Sequence, residues 1–205
     1  MHTNIFRTVR TVAILAFGAL AAQPAVAEDD SERGKLLAYT CMGCHGIEGY
    51  RNAYPSYRVP KLGGQRAAYI ETALGAYSDG SRPHPTMQAQ GGSLSARDIR
   101  ELAAFFASLA VAGDEVDAET VAGNETAGIC VTCHGVAGAG VVPQPPTLSG
   151  QHMDYLVHAM QQYRDGSRSG TVMSAFAVSL DDAEVSMLAR FYASQDGLHT
   201  PVDSK

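Results

Sequence analysis

Apolar positions recur with helical spacing in two stretches of the chain. Ile99, Leu102, Phe105/Phe106 and Leu109 form one stripe, and Val185, Leu188 and Phe191/Tyr192 form another. Each has start signals. Ser95 with Asp98, and Asp181 with Glu184, have capping-box spacing, while Leu94 with Ile99, and Leu180 with Val185, have the spacing of a hydrophobic staple. Two more helices are expected before each stripe. One begins near Gln65 or Gln151 and ends at Asp79-Gly80 or Asp165-Gly166, where glycine suits a left-handed C-terminal position. The other runs from about Ser31, or about Thr120, into a cysteine-containing segment. Gly34 and Gly123 lie seven residues before the first cysteine of each segment. Glycine costs helix propensity there, so it points to a close crossing by another helix. No convincing strand pattern appears, and the pattern predicts an all-α protein.

The two stripes belong to a tandem repeat. At an offset of 86, Pro60-Lys61-Leu62-Gly63-Gly64-Gln65 pairs with Pro146-Thr147-Leu148-Ser149-Gly150-Gln151, and Tyr77-Ser78-Asp79-Gly80-Ser81-Arg82 pairs with Tyr163-Arg164-Asp165-Gly166-Ser167-Arg168. Met87 falls on Met173, and each precedes a capped helix in a segment that reads as a loop. Residues 113–123 (GDEVDAETVAG) are acidic and flanked by glycine, as a linker would be. The division is residues 28–112 and 124–205, each with about three main helices.

Before the first unit, Thr11–Ala22 is an apolar run of twelve residues, too short to span a bilayer. Arg7 and Arg10 precede it, and Ala25-Val26-Ala27 has the form of a cleavage site. Residues 1–27 therefore read as a secretory signal peptide, with an uncleaved anchor as the alternative. Cleavage would remove two of the 15 basic residues and none of the 21 acidic ones, leaving 13 against 21, a formal charge of −8. That balance argues against nucleic acid as a partner. Residues 28–112 have nine basic and nine acidic residues, with Arg51, Arg58, Lys61 and Arg66 close together, and residues 113–205 have four and twelve. Such a dipole is expected to orient the molecule at its partners.

All four cysteines lie in two pentapeptides, Cys41-Met42-Gly43-Cys44-His45 and Cys130-Val131-Thr132-Cys133-His134. C-x-x-C-H is the attachment signature of c-type haem. Cysteines one helical turn apart present both sulfurs on one face for thioether bonds to the haem vinyls, and the adjoining histidine reaches the iron. Two covalent haems are therefore expected, on Cys41 and Cys44 and on Cys130 and Cys133, with His45 and His134 as iron ligands. Met87 and Met173 are the candidates for the sixth positions, core packing being the other role open to them. A thioether opposite histidine raises the potential and closes the coordination sphere, which suits electron transfer rather than bond chemistry. His84 could in principle replace Met87, but its counterpart is Gly170 and it reads as a surface histidine. The Pro60 and Pro146 carbonyls are candidates to accept the other ring proton of each motif histidine. Tyr77, Arg82, Tyr163 and Arg168 could bond haem propionates, or could form only a helix-terminating turn. The longer loop after His45 suggests no role.

Together these residues resemble the class I cytochrome c fold, and their tandem arrangement is similar to the dihaem cytochrome c4 family of bacterial periplasms. The likeness covers nearly all of the chain after residue 27. It implies covalent haem on the four cysteines, proximal His45 and His134, and distal Met87 and Met173. It also implies electron transfer from a cytochrome bc1-type complex or another donor to a terminal oxidase, with the two haem domains face to face. A dihaem subunit docked on a periplasmic dehydrogenase is a second reading. A dihaem peroxidase would need an open sixth site, and a zinc protein would need the four cysteines to converge.

Overall fold

The computed structural model describes residues 30–110, 125–140, 144–169 and 171–201. The expected signal peptide, the linker, Gly123 and Gly170 lie outside the described residues. The first half holds α1 (Asp30–Leu37), α2 (Tyr39–His45), α3 (Ala67–Asp79), α4 (Pro85–Gly92) and α5 (Ala96–Ser108). The second holds α6 (Glu125–His134), a 3-10 turn at Val136–Gly138, α7 (Met153–Arg164), α8 (Met173–Ser179) and α9 (Asp182–Ala193). Among the described residues there are only isolated β-bridges, Arg51 with Arg58 and Gly63 with His199. The protein is all-α with two tandem units.

Both expected capping boxes form. Ser95 and Asp181 accept from the backbone N–H groups of Asp98 and Glu184, whose carboxylates accept from the cap N–H groups in return. Hydrogen bonds from Ser95, with a smaller contribution from Arg33, hold the Asp98 carboxyl down at about 2. Ser95→Ala or Asp181→Ala is expected to cost about 1 kcal/mol, measured by denaturant unfolding of the haem-loaded protein. The methionine segments differ from the loops expected of them, each forming a short helix. Pro85 starts α4 with a preset φ and no N–H to satisfy. Arg164 serves the end of α8 by donating to the carbonyls of Ala177 (3.3 Å) and Leu180 (2.8 Å).

The two cores are copies. Ile70, Leu102, Ala103 and Phe106 are buried in the first, and Leu156, Leu188, Ala189 and Tyr192 hold the same repeat positions in the second. Gly34 is where α1 crosses α5. A Cβ there would overlap the Glu101 carbonyl oxygen and lie 2.6 Å from its carbon and 2.8 Å from Phe105 Cβ. Glu101, 1% exposed, is paired with Arg33 and with Arg97.

The units meet across a joint in which equivalent residues exchange bonds. The Lys61 N–H donates to Gln151 Oε1 (3.0 Å), and Gln151 Nε2 donates to the Lys61 carbonyl (3.1 Å). Reciprocally, the Thr147 N–H donates to Gln65 Oε1 (2.9 Å), and Gln65 Nε2 donates to the Thr147 carbonyl (3.1 Å). Lys61 aligns with Thr147 and Gln65 with Gln151, so each glutamine grips the other unit's backbone in an approximate two-fold relation. Each of these bonds satisfies a backbone group that burial would otherwise leave unpaired.

Two asymmetric elements reinforce the joint. Near the C-terminus, the His199 N–H donates to the Gly63 carbonyl (3.2 Å) and the Gly63 N–H to the His199 carbonyl (3.0 Å), while the Leu198 N–H donates to the Ser149 carbonyl (2.9 Å). Gly63 and Ser149 are repeat equivalents, so one segment is bonded to both units. The longer loop after His45 is the other element. It forms a hairpin, with the Asn52 N–H on the Tyr57 carbonyl (2.9 Å) and the Val59 N–H on the Tyr50 carbonyl (2.8 Å). Arg51 Nη1 lies 3.0 Å from Asp154 Oδ2, which also accepts from the Arg58 N–H (3.2 Å). Tyr57 stacks on His158 with ring centroids 4.0 Å apart. Lys61 Nζ donates to the Gly150 carbonyl (2.7 Å), and Arg66 packs against Gly140. The basic group of the first unit therefore faces the acidic unit, and the joint uses part of the charge expected to orient the molecule at its partners.

Candidate haem sites

Each C-x-x-C-H motif occupies the end of a helix, α2 or α6. The four cysteines form no disulfide; three are half-buried and Cys133 is exposed. Cys41 and Cys130 pack against the core cluster of their own unit. Among the described residues, which include all four cysteines, no three His, Cys, Asp or Glu side chains gather to hold a metal ion.

The histidines that end the motifs are buried and held alike. His45 Nδ1 is 2.7 Å from the Pro60 carbonyl and His134 Nδ1 is 2.9 Å from that of Pro146, the two acceptors expected from the sequence. A carbonyl only accepts, so Nδ1 carries the proton and Nε2 of the neutral ring keeps its lone pair. Burial depresses His45 to about 4, against the opposing pull of the Pro60 carbonyl, and burial likewise lowers His134. Both rings are thus neutral imidazoles with Nε2 unprotonated, the form that ligates iron.

Met87 lies in the first turn of α4 and Met173 at the start of α8, both half-buried. His84 is a half-buried N-cap and not a surface residue. Its Nδ1 accepts from the Met87 N–H (3.2 Å) and its Nε2 donates to Asn52 Oδ1 (3.1 Å). Both ring nitrogens are engaged, so the ring has none left for iron.

Arg82 and Arg168 are 5% and 6% exposed, yet neither meets a carboxylate among the described residues. Instead Arg82 Nη2 donates to Tyr155 Oη (2.6 Å) and Nη1 to Tyr69 Oη (3.3 Å), while Arg168 Nη2 donates to Tyr69 Oη (3.0 Å). Each guanidinium also lies over its own unit's tyrosine, 4.4 Å from the Tyr77 centroid and 4.3 Å from that of Tyr163. Burial by itself raises the Tyr69 hydroxyl, but the two guanidiniums overcome it and bring the group down to about 7. Buried cations without anions are costly. A haem in each unit, with its two propionates, is the kind of group this cluster fits. The sequence identified these arginines without showing that they cross the joint.

No helix among the described residues is long and apolar enough to cross a membrane. The cytochrome c family model matches residues 31–110 and 121–195. A thiosulfate dehydrogenase electron acceptor from Thiomonas intermedia is 30% identical over 174 residues, covering 77% of this chain and 79% of that protein. The crystal structure of reduced cytochrome c4 from Pseudomonas stutzeri aligns with TM-score 0.66 and 25% identity, over 81% of this chain and 98% of that one. Thiosulfate dehydrogenase (TsdBA) from Marichromatium purpuratum aligns with TM-score 0.64 and 32% identity, over 80% of this chain and 40% of that chain, so this chain spans less than half of that structure. With both motif histidines poised alike in the two units, the chain belongs to the cytochrome c family, as an electron carrier of the cytochrome c4 type with two covalently bound haem c groups.

Proposed function

We propose that the protein is a periplasmic carrier whose haems are bound through Cys41 and Cys44 and through Cys130 and Cys133. His45 and Met87 are the axial ligands of the first iron, and His134 and Met173 those of the second. The signal peptide is residues 1–27 and the haem domains are residues 28–112 and 124–205, joined by 113–123. The observation that carries this reading is the paired Nδ1-to-proline-carbonyl bond, which leaves Nε2 of both motif histidines free for iron. Haem supplies the one-electron chemistry, and this chain's residues hold the imidazole planes and surround the propionates with Arg82 and Arg168. Two closed coordination spheres leave no site for peroxide, so the protein is a carrier and not a peroxidase.

The proposed route runs from a bc1-type complex or another donor to a terminal oxidase. A second reading, service to a periplasmic dehydrogenase, is favoured by the likeness to a thiosulfate dehydrogenase electron acceptor. Co-purification with a catalytic subunit, and reduction by it faster than by a bc1-type complex, would select the second. A pyridine haemochrome assay is expected to find two covalent haems per chain, and the reduced protein is expected to leave carbon monoxide unbound. A count below two, or rapid carbon monoxide binding, would overturn the assignment.

A further inference from the structure

The two methionine segments are held in different ways. In the first unit the Met87 N–H donates to His84 Nδ1 (3.2 Å), and His84 Nε2 donates to Asn52 Oδ1 (3.1 Å). Because Nδ1 accepts from a backbone N–H, the ring proton must sit on Nε2, and the tautomer is fixed from both sides. The ring is also edge-on to Tyr77, with centroids 6.2 Å apart. Asn52 is fixed in turn by its hairpin, which Arg51 and Tyr57 tie to Asp154 and His158 of the second unit.

Among the described residues the second unit has no counterpart of this arrangement. The repeat puts Gly170 opposite His84, and the Met173 N–H donates to the hydroxyl of exposed Thr171 (3.2 Å). A 3-10 turn, Val136–Gly138, follows His134 where the first unit has the hairpin. Among the described residues the first turn of α4 is therefore held by a half-buried chain of two side chains, and that of α8 by one exposed hydroxyl.

We propose that His84 and Asn52 are positioning residues for the Met87 thioether, so that the loop after the first haem motif sets the strength of methionine ligation at the first iron alone. The proposal rests on Met87 being an iron ligand. Where a thioether sits depends on the backbone that carries it. Freeing Met87 N–H from its cap loosens the turn that aims the sulfur, and a weaker methionine bond lowers the potential of that haem.

The test uses the full-length dihaem protein and the red charge-transfer band of methionine-ligated ferric haem, to which each haem contributes about half. Met87→Ala is expected to remove half of the band. His84→Ala is expected to remove most of the same half and to lower one of the two potentials, with two covalent haems retained and the other half of the band serving as a check on folding. Asn52→Ala should weaken the band in the same direction, and Asn52→Asp, which keeps an acceptor for Nε2–H, should restore it. If His84→Ala keeps the whole band and both potentials while Met87→Ala loses half, the positioning role is wrong and the ligand stands. If Met87→Ala itself keeps the whole band, the ligand assignment is wrong. An Asn52→Ala protein with unaltered band and potentials would remove the loop from the proposal.

Discussion

Gly34→Ala is expected to destabilise the first haem domain by about 3 kcal/mol, the upper end of what inserting one carbon into a packed contact costs. On an exposed helix the same change would gain about 1 kcal/mol of propensity. The sign reverses because the new Cβ would overlap the Glu101 carbonyl oxygen and crowd Phe105, and backbone cannot move aside as a flexible side chain can. Separating α1 from α5 would also strain the pairing of Arg33 with buried Glu101. Thermal unfolding of the haem-loaded protein should show the first domain melting early and the second near its usual temperature. A variant that melts like the parent would mean that the two helices do not cross at this point.

The second large effect is expected at Arg82. Alanine there removes two hydrogen bonds from a charged donor, each worth about 1.5–3 kcal/mol, and a desolvated cation–π contact of about 2 kcal/mol. Because such values are not additive, about 3 kcal/mol is the expected loss in denaturant unfolding. Arg82→Lys should recover less than half of it. A single ammonium cannot reach Tyr69 and Tyr155 while lying flat on Tyr77, as the planar guanidinium does. Losing a buried positive charge also favours the ferric form, so a redox titration should show the first haem's potential falling. Unchanged stability and unchanged potentials in Arg82→Ala would contradict the cluster's role in joining the domains and holding propionates.

What the sequence disclosed, and what it did not, divides by range. The capping boxes, the glycine-terminated α3 and the apolar stripes of α5 and α9 depend on residues a few positions apart, and periodicity shows them directly. Pro60 and Pro146 were legible because the repeat placed the same carbonyl a similar distance after each motif. Arg82 and Arg168 were legible as a pair, but a repeat alignment reports equivalence and not reciprocity. Nothing in it shows that Arg82 bonds Tyr155 while Arg168 bonds Tyr69. The loop after His45 was opaque for the same reason, its partners Asp154 and His158 being about a hundred positions away and without counterparts in the first unit. His84 misled because a histidine N-cap is not among the common capping residues, and its second partner, Asn52, is 32 residues distant. The short helices α4 and α8 are hidden in the sequence because they span only eight and seven residues, too few for periodicity to stand out, and α4 (PTMQAQGG) carries no apolar stripe.

The segment at Leu198 and His199 has a consequence for how the molecule is made. It follows every described helix of the second unit, yet it is bonded to Gly63 of the first unit and Ser149 of the second. Gly63 therefore finds this partner only after the whole of the second helical unit, haem motif included, has been made. The cysteines of both units precede this segment in the chain, so both motifs are in place before this part of the joint can close. A chain ending before Leu198 would carry both motifs and lack this contact.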